Sequence, residues 1–296
     1  MRVFVTGATG FVGSAVVEEL INSGHKVLGL ARSDAGAQSL AAAGAQVHRG
    51  DLEDLESLRG GAAGSDGVIH CAFIHDFSKF QENCEIDRRA IEALGSALAG
   101  SDRPLVVTSG TGLLSPGSVS TEDMAPPLHS RMPRVSEQTG EAQASKGVRP
   151  LVVRLPQVHD PVKQGLISYL IAVAREKGVS AYVGDGNNRW PAVHRLDTGT
   201  LYRLVLEKGV AGARYHAVEE EGVPLREIAE AIGRGLKVPV VSKSPEEAVA
   251  HFGWLGMFAG ADMPASSALT QERLGWRLTG QPGLIADLER ARDFEA

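Results

Sequence analysis

The chain has 296 residues, 43% of them hydrophobic and 22% charged, with a formal net charge of −6. That supplies a core for one large domain, or a domain with a lobe, and the negative balance with scattered Lys and Arg excludes a basic footprint for nucleic acid. The longest apolar run, over 166–174 and broken by Ser168, is too short to cross a bilayer; two cysteines, Cys71 and Cys84, argue against a disulfide scaffold or a zinc site.

Val3-Phe4-Val5 predicts a first strand, which the chain enters without a charged-then-apolar leader, as expected of a cytoplasmic protein. Thr6-Gly7-Ala8-Thr9-Gly10-Phe11-Val12-Gly13 follows, and then a helix over 11–22. Further strands are predicted at 26–30, 46–48, 67–70, 105–108 and 151–153, separated by helices at 35–43, 51–58 and 81–99. The last of these helices places Ile86, Ala90, Ile91, Leu94, Ala97 and Leu98 on one stripe. Such alternation implies right-handed βαβ units and a doubly wound parallel sheet of Rossmann type. After Pro156 helices are expected at 163–176, 197–208 and 224–235 with few strands. We therefore expect a nucleotide-binding domain over 1–155, returning segments at 190–194 and 213–218, and a smaller, mostly helical substrate lobe from 156–189 and 219–296. Asp197 is expected to cap its helix, with His194 joining strand to helix.

Gly7, Gly10 and Gly13 form G-x-x-G-x-x-G between a strand and a helix. Gly7 permits the tight turn, Gly10 lets a phosphate approach the backbone, and Gly13 lets the helix pack against the strand. Pyrophosphate then sits on the amides of the helix N-terminus. An NAD site usually ends its second strand in Asp or Glu, to bind ribose hydroxyls. Here Ala31-Arg32-Ser33 stand there, followed by Asp34. Arg32 can pair with a 2′-phosphate and Ser33 can donate to it, so NADP(H) is expected rather than NAD(H).

With Gly50-Asp51-Leu52 and 66–72 (Asp-Gly-Val-Ile-His-Cys-Ala), these motifs resemble the extended or atypical short-chain dehydrogenase/reductase superfamily, in its NAD-dependent epimerase/dehydratase branch. Arg154-Leu155-Pro156-Gln157-Val158-His159 is similar to its R-P-x-x-V-Y-G turn, and His194-Arg195-Leu196-Asp197 to its H-V-x-D helix start. The resemblance covers most of 1–218. It implies adenine contacts near Asp51 and Leu52, cofactor contacts at Cys71, Ala72 and Phe73 as well as at Thr9, Phe11 and Val12, and nicotinamide near Ser109 and Pro156. It also implies a Y-x-x-x-K pair assisted by a Ser or Thr. Ser109 and Thr111 both qualify as that hydroxyl. The tyrosine is missing: the residues four beyond Tyr169, Tyr182, Tyr202 and Tyr215 are Val173, Gly186, Leu206 and Glu219. Aligned on Ser136 and Glu141, Pro133 takes the Tyr place and Glu137 the Lys place.

His129, His75 and His159 are the substitute proton donors, since an ordinary imidazole titrates near neutrality. Lys146 reads as a helix-end lysine. Glu137 and Glu141 read as a solvated face with a local ion pair to Arg134. Phe73, Phe77, Met132, Tyr169 and Trp190 are candidates for an apolar cleft. Lys163, Arg175, Lys177 and Arg189 are too dispersed to suggest a diphosphate clamp. The expected activity is NADPH-dependent reduction of a small uncharged carbonyl compound or activated alkene. A non-catalytic NADP-binding sensor and a nucleotide-sugar epimerase or dehydratase are the alternatives. The helix over 81–99 offers one apolar face and opposes it with Glu82, Glu85, Arg88, Arg89 and Glu92, so a monomer or weak homodimer is expected.

Overall fold

Seven parallel strands form the frame. A computed structural model describes residues 1–112, 114–126 and 133–294. The first part runs β1 (Arg2–Thr6), α1 (Phe11–Asn22), β2 (Lys26–Ala31), α2 (Asp34–Ala42), β3 (Gln46–Arg49), α3 (Leu55–Ala63), β4 (Gly67–His70), α4 (Phe80–Leu98), β5 (Pro104–Gly110), α5 (Ser136–Ala142) and β6 (Arg149–Leu155). Next come β7 (Gln157–Asp160), β8 (Lys163–Gln164), α6 (Ile167–Lys177), β9 (Ser180–Val183), β10 (Arg189–His194), α7 (Arg195–Lys208), β11 (Arg214–His216), β12 (Glu220–Pro224), α8 (Leu225–Leu236), β13 (Val240–Lys243) and α9 (Pro245–Phe252). Three short helices, α10 (Gly256–Ala259), α11 (Ala268–Leu274) and α12 (Leu284–Leu288), follow.

The main sheet has the order β11-β6-β5-β4-β1-β2-β3. The order reverses between β1 and β4, and ligands of such sheets bind outside the carboxyl ends of the strands at that point. Both faces are covered, as the continuous apolar runs of the central strands require. One face buries Val3, Val5, Ile69 and Val106 with α1 and α7; the other buries Phe4, Val68, Leu105 and Val107 with α3 and α4. A third cluster, with Ile171, Trp190, Ile228, Phe252 and Leu284, is the lobe's own core. The outer side of α4 carries Arg88 between Glu85 and Glu92. Among the described residues no helix is long and apolar enough to cross a membrane.

Several boundaries differ from the sequence expectation for local reasons. Helix α3 starts at Leu55, because Asp51 folds back to accept from the amides of Glu53 and Asp54, and Asp54 becomes the cap by accepting from Ser57 N. Lys163 and Gln164 pair with β7 before α6 begins. The segment at 189–194 does not rejoin the main sheet. It forms a separate sheet, β12-β10-β7-β8, and β9 pairs with β13 in another. Only β11 returns, beside β6. His194, not Asp197, caps α7, its ring accepting from Leu196 N at 3.3 Å. Asp197 is buried in the first turn and accepts from Thr279 N.

Candidate functional site

The glycine turn meets the requirements of a phosphate cradle. Gly7 has φ +66°, and a Cβ there would lie 2.7 Å from Ala72 N. A Cβ at Gly13 would lie 2.0 Å from the Gly7 carbonyl oxygen, so turn and helix approach as closely as backbones can. Gly10 precedes α1 without a side-chain cap, and no acidic residue occupies the first turn. The amides of Phe11, Val12 and Gly13 have no intrahelical acceptor and face the positive end of the helix dipole. Thr9 is exposed beside them. Beyond the end of β4 the backbone of Cys71 and Ala72 packs against Gly7. Burial pushes the Cys71 thiol up to about 12, so this side chain is inert packing at neutral pH.

Arg32 is exposed and has no hydrogen-bond or ion-pair partner among the described residues. Asp34, the acid nearest to it in sequence, is bound by Arg49 at the end of β3. Ser33 Oγ accepts from Gly36 N and so caps α2, leaving its hydroxyl proton to donate elsewhere. Asp51 is exposed but engaged in its own turn, and Leu52 packs against the core.

At the β5 end the two hydroxyls separate. Thr111 is 2% exposed and its Oγ1 donates to Leu155 O at 3.4 Å. Ser109 is half-buried, and its side-chain hydroxyl has no hydrogen bond to a described residue. Pro156 is half-buried just past the paired end of β6. His129 and Met132 lie outside the described residues. His159 is fully buried in the lobe, where its Nδ1 meets Asp287 Oδ2 at 2.8 Å. Burial lowers its pKa against the opposing pull of Asp287 and Glu220, and it has no face open to a substrate. His75 is exposed, though its ring packs edge-on against Phe73 and Phe77. Desolvation and then the charges of Arg134 and Lys163 lower its pKa. Trp190 belongs to the lobe core, where its indole N–H donates to Phe258 O. Lys146 Nζ donates to Gln143 Oε1 at a helix end.

Glu137 corrects the expectation of a solvated face. It is 2% exposed and does not pair with Arg134. Arg154, itself fully buried, binds both its oxygens through Nε and Nη2, and Arg214 Nε donates to Oε1 as well. Arg214 also pairs with Glu141. Arg154 Nη1 lies 3.2 Å from His216 Nε2, whose Nδ1 is 2.8 Å from Ser266 O. The ring therefore accepts from Arg154 and donates to Ser266, which requires the neutral form. Burial, and then Arg154, lowers the His216 pKa to about 4. Between pH 6.5 and about 4 the unfolded chain thus binds a proton that the folded chain refuses. Stability is expected to fall with pH across that window by about 3 kcal/mol from this group. Urea unfolding at pH 7 and pH 4.5 measures it; His216→Gln should flatten the slope, and an unchanged slope would reject the assignment.

These features have known counterparts. The sequence profile described as "NAD dependent epimerase/dehydratase family" matches residues 3–219. The chain belongs to that family. It is 51% identical over 294 residues to an uncharacterized protein of Schizosaccharomyces pombe, covering 97% of this chain and 98% of the other. It is 28% identical over 242 residues to the decarboxylating sterol-4-alpha-carboxylate 3-dehydrogenase of Dictyostelium discoideum, covering 76% and 73%. The fold is that of DesIV, a dTDP-glucose 4,6-dehydratase from Streptomyces venezuelae solved with NAD, at TM-score 0.78 and 21% identity, covering 99% and 96%.

Within this epimerase/dehydratase framework Arg134, expected as the surface partner of Glu137 and Glu141, is engaged elsewhere. Its Nη2 donates to Thr108 O at 3.1 Å and its Nε to Ser136 Oγ at 2.9 Å; its Cζ lies 4.2 Å from the centre of the Phe73 ring. Behind it, Ser136 Oγ donates to Asp87 Oδ2, and Asp87 Oδ1 is 3.1 Å from His70 Nε2. Burial opposes the Asp87 charge, yet His70, Arg134 and Ser136 hold its carboxyl below the ordinary range. His70 Nδ1 in turn meets Thr6 Oγ1 at 2.8 Å, beside the glycine turn. No periodicity or spacing marks this chain of contacts, because it joins five segments separated in sequence.

Proposed function

We propose that this protein is an NADPH-dependent reductase of carbonyl compounds or activated alkenes. The observation that carries the reading is the pairing of the glycine cradle with Arg32, exposed and uncommitted where a 2′-phosphate would arrive while Asp34 is held by Arg49. When bound, NADPH supplies a hydride for a carbonyl carbon. Residues 1–155 hold the nucleotide, and the lobe of 156–189 and 219–296 bounds the substrate. The amides following Gly10 receive the pyrophosphate, and Arg32 with Ser33 receives the 2′-phosphate. Ser109 donates to the carbonyl oxygen as negative charge builds there, and water delivers the proton that completes the alcohol. His75 is a poor acid for that task, because its lowered pKa leaves the ring neutral at pH 7. The name of the Dictyostelium relative, a dehydrogenase, supports oxidoreduction.

The test is NADPH titration followed by NADPH oxidation across a panel of ketones, aldehydes and enones. Ser109→Ala should keep the NADPH Kd within about twofold and lower kcat by roughly 10²-fold, the usual effect of losing one oxyanion donor. Firm NADPH binding with no turnover anywhere on the panel would favour a nucleotide-binding sensor instead. The absence of Y-x-x-x-K from the sequence, with Glu137 sealed between two arginines, supports that second reading.

A further inference from the structure

The expectation of an uncharged substrate rested on the dispersal of cations along 156–195. Folding brings in a cation from outside that stretch. Arg134, from the segment before α5, lies over the Phe73 ring, which meets His75 edge-on in the loop after β4. Arg134 forms no ion pair with a described carboxylate. Asp87, the acid behind Arg134, is already engaged by His70 and Ser136.

Arg134 is fixed in a definite orientation. Its Nε and Nη2 are anchored to Ser136 and Thr108, and its face rests on Phe73. Nη1 has no partner among the described residues, so the end edge of the guanidinium stays free. That edge presents two parallel N–H groups, the geometry that receives both oxygens of a carboxylate. The anchor at Thr108 O places the guanidinium one residue from Ser109, the hydroxyl with no described partner. The neighbouring wall is aromatic: Phe77 stacks on Trp254 at 3.9 Å and meets Tyr169 edge-on at 5.7 Å. A low-dielectric surround strengthens a charge-assisted pair and penalises an unpaired cation.

We infer that the substrate is an oxo acid, whose carboxylate is received by the end edge of Arg134, while Ser109 holds the carbonyl oxygen. This rests on the reductase reading above and names its substrate class. The reaction balances as hydride to the carbonyl carbon and a proton from water to its oxygen, giving a hydroxy acid and NADP⁺.

The experiment uses the full chain with pyruvate, benzoylformate and acetoacetate, each paired with its methyl ester, followed by NADPH oxidation and by thermal shift in saturating NADP⁺. At least one acid is expected to surpass its ester by tenfold or more. Arg134→Met should abolish that preference with the NADPH Kd within twofold, and Arg134→Lys, which keeps the charge without the fork, should retain part of it. The inference is overturned if NADPH binds and carbonyl compounds are reduced but no acid surpasses its ester, or if Arg134→Met leaves the preference intact. Failure of NADPH to bind, or firm binding with no turnover of any acid, ester or other carbonyl compound, would instead strike the reductase reading, so the two failures are told apart.

Discussion

Glu137→Ala is expected to destabilise the protein by about 3–5 kcal/mol, because it strands Arg154 with no counter-ion in a fully buried position. For a chain of this size that is a loss in Tm on the order of 10 °C. The reason is asymmetric: removing the carboxylate leaves the desolvation penalty of the guanidinium with nothing to offset it. Arg214 loses an anchor too, but it lies nearer the surface and keeps Glu141. Glu137→Lys, which inserts the lysine of the family's usual motif, should be worse, since it sets a third cation beside two arginines. Differential scanning fluorimetry of the three proteins reads the order wild type, then Ala, then Lys; a Tm for Glu137→Ala within 2 °C of wild type would sink the account.

Arg32→Ala is expected to weaken NADPH binding by roughly 10- to 100-fold and leave NADH almost unchanged. A charge-assisted pair with a phosphate contributes about 1.5–3 kcal/mol, and only NADPH carries the 2′-phosphate. The contrast between cofactors matters more than the size of the loss. A fold defect would weaken both, whereas loss of the 2′-phosphate partner weakens one. Quenching of intrinsic fluorescence by each cofactor measures the two Kd values. An equal loss for NADPH and NADH, or tighter wild-type binding of NADH, would remove the NADP assignment. Asp34→Ala serves as a control: because Arg49 already holds this carboxylate, its removal should change the preference little.

The frame of the molecule was legible in the sequence because its signals are local. The runs Val3-Phe4-Val5 and Leu105-Val106-Val107 mark strands buried on both faces, and the stripe on α4 marks the side that meets the sheet. The glycine spacing was equally plain, since each glycine answers a backbone contact within one turn or with the adjacent strand. The lobe was less legible. Its strands β7, β8, β9, β12 and β13 run two to five residues, too short for a period to show, and their partners lie up to 60 residues away. The choice between Ser109 and Thr111 needed the fold as well, because only the approach of Leu155 O ties up Thr111.

By itself, then, the sequence determined the βαβ alternation, the glycine turn between β1 and α1, the arginine at the β2 end and the lack of Y-x-x-x-K. These depend on the order of apolar, glycine and charged residues along one stretch of chain. The tertiary structure alone decided where charges are spent. Glu137, read as solvated, is buried between Arg154 and Arg214, while Arg134, read as its partner, turns to Phe73, Thr108 and Ser136, its other edge without a partner among the described residues. Electrostatic partnership depends on distance and burial, and segments far apart in sequence meet only once the chain has folded.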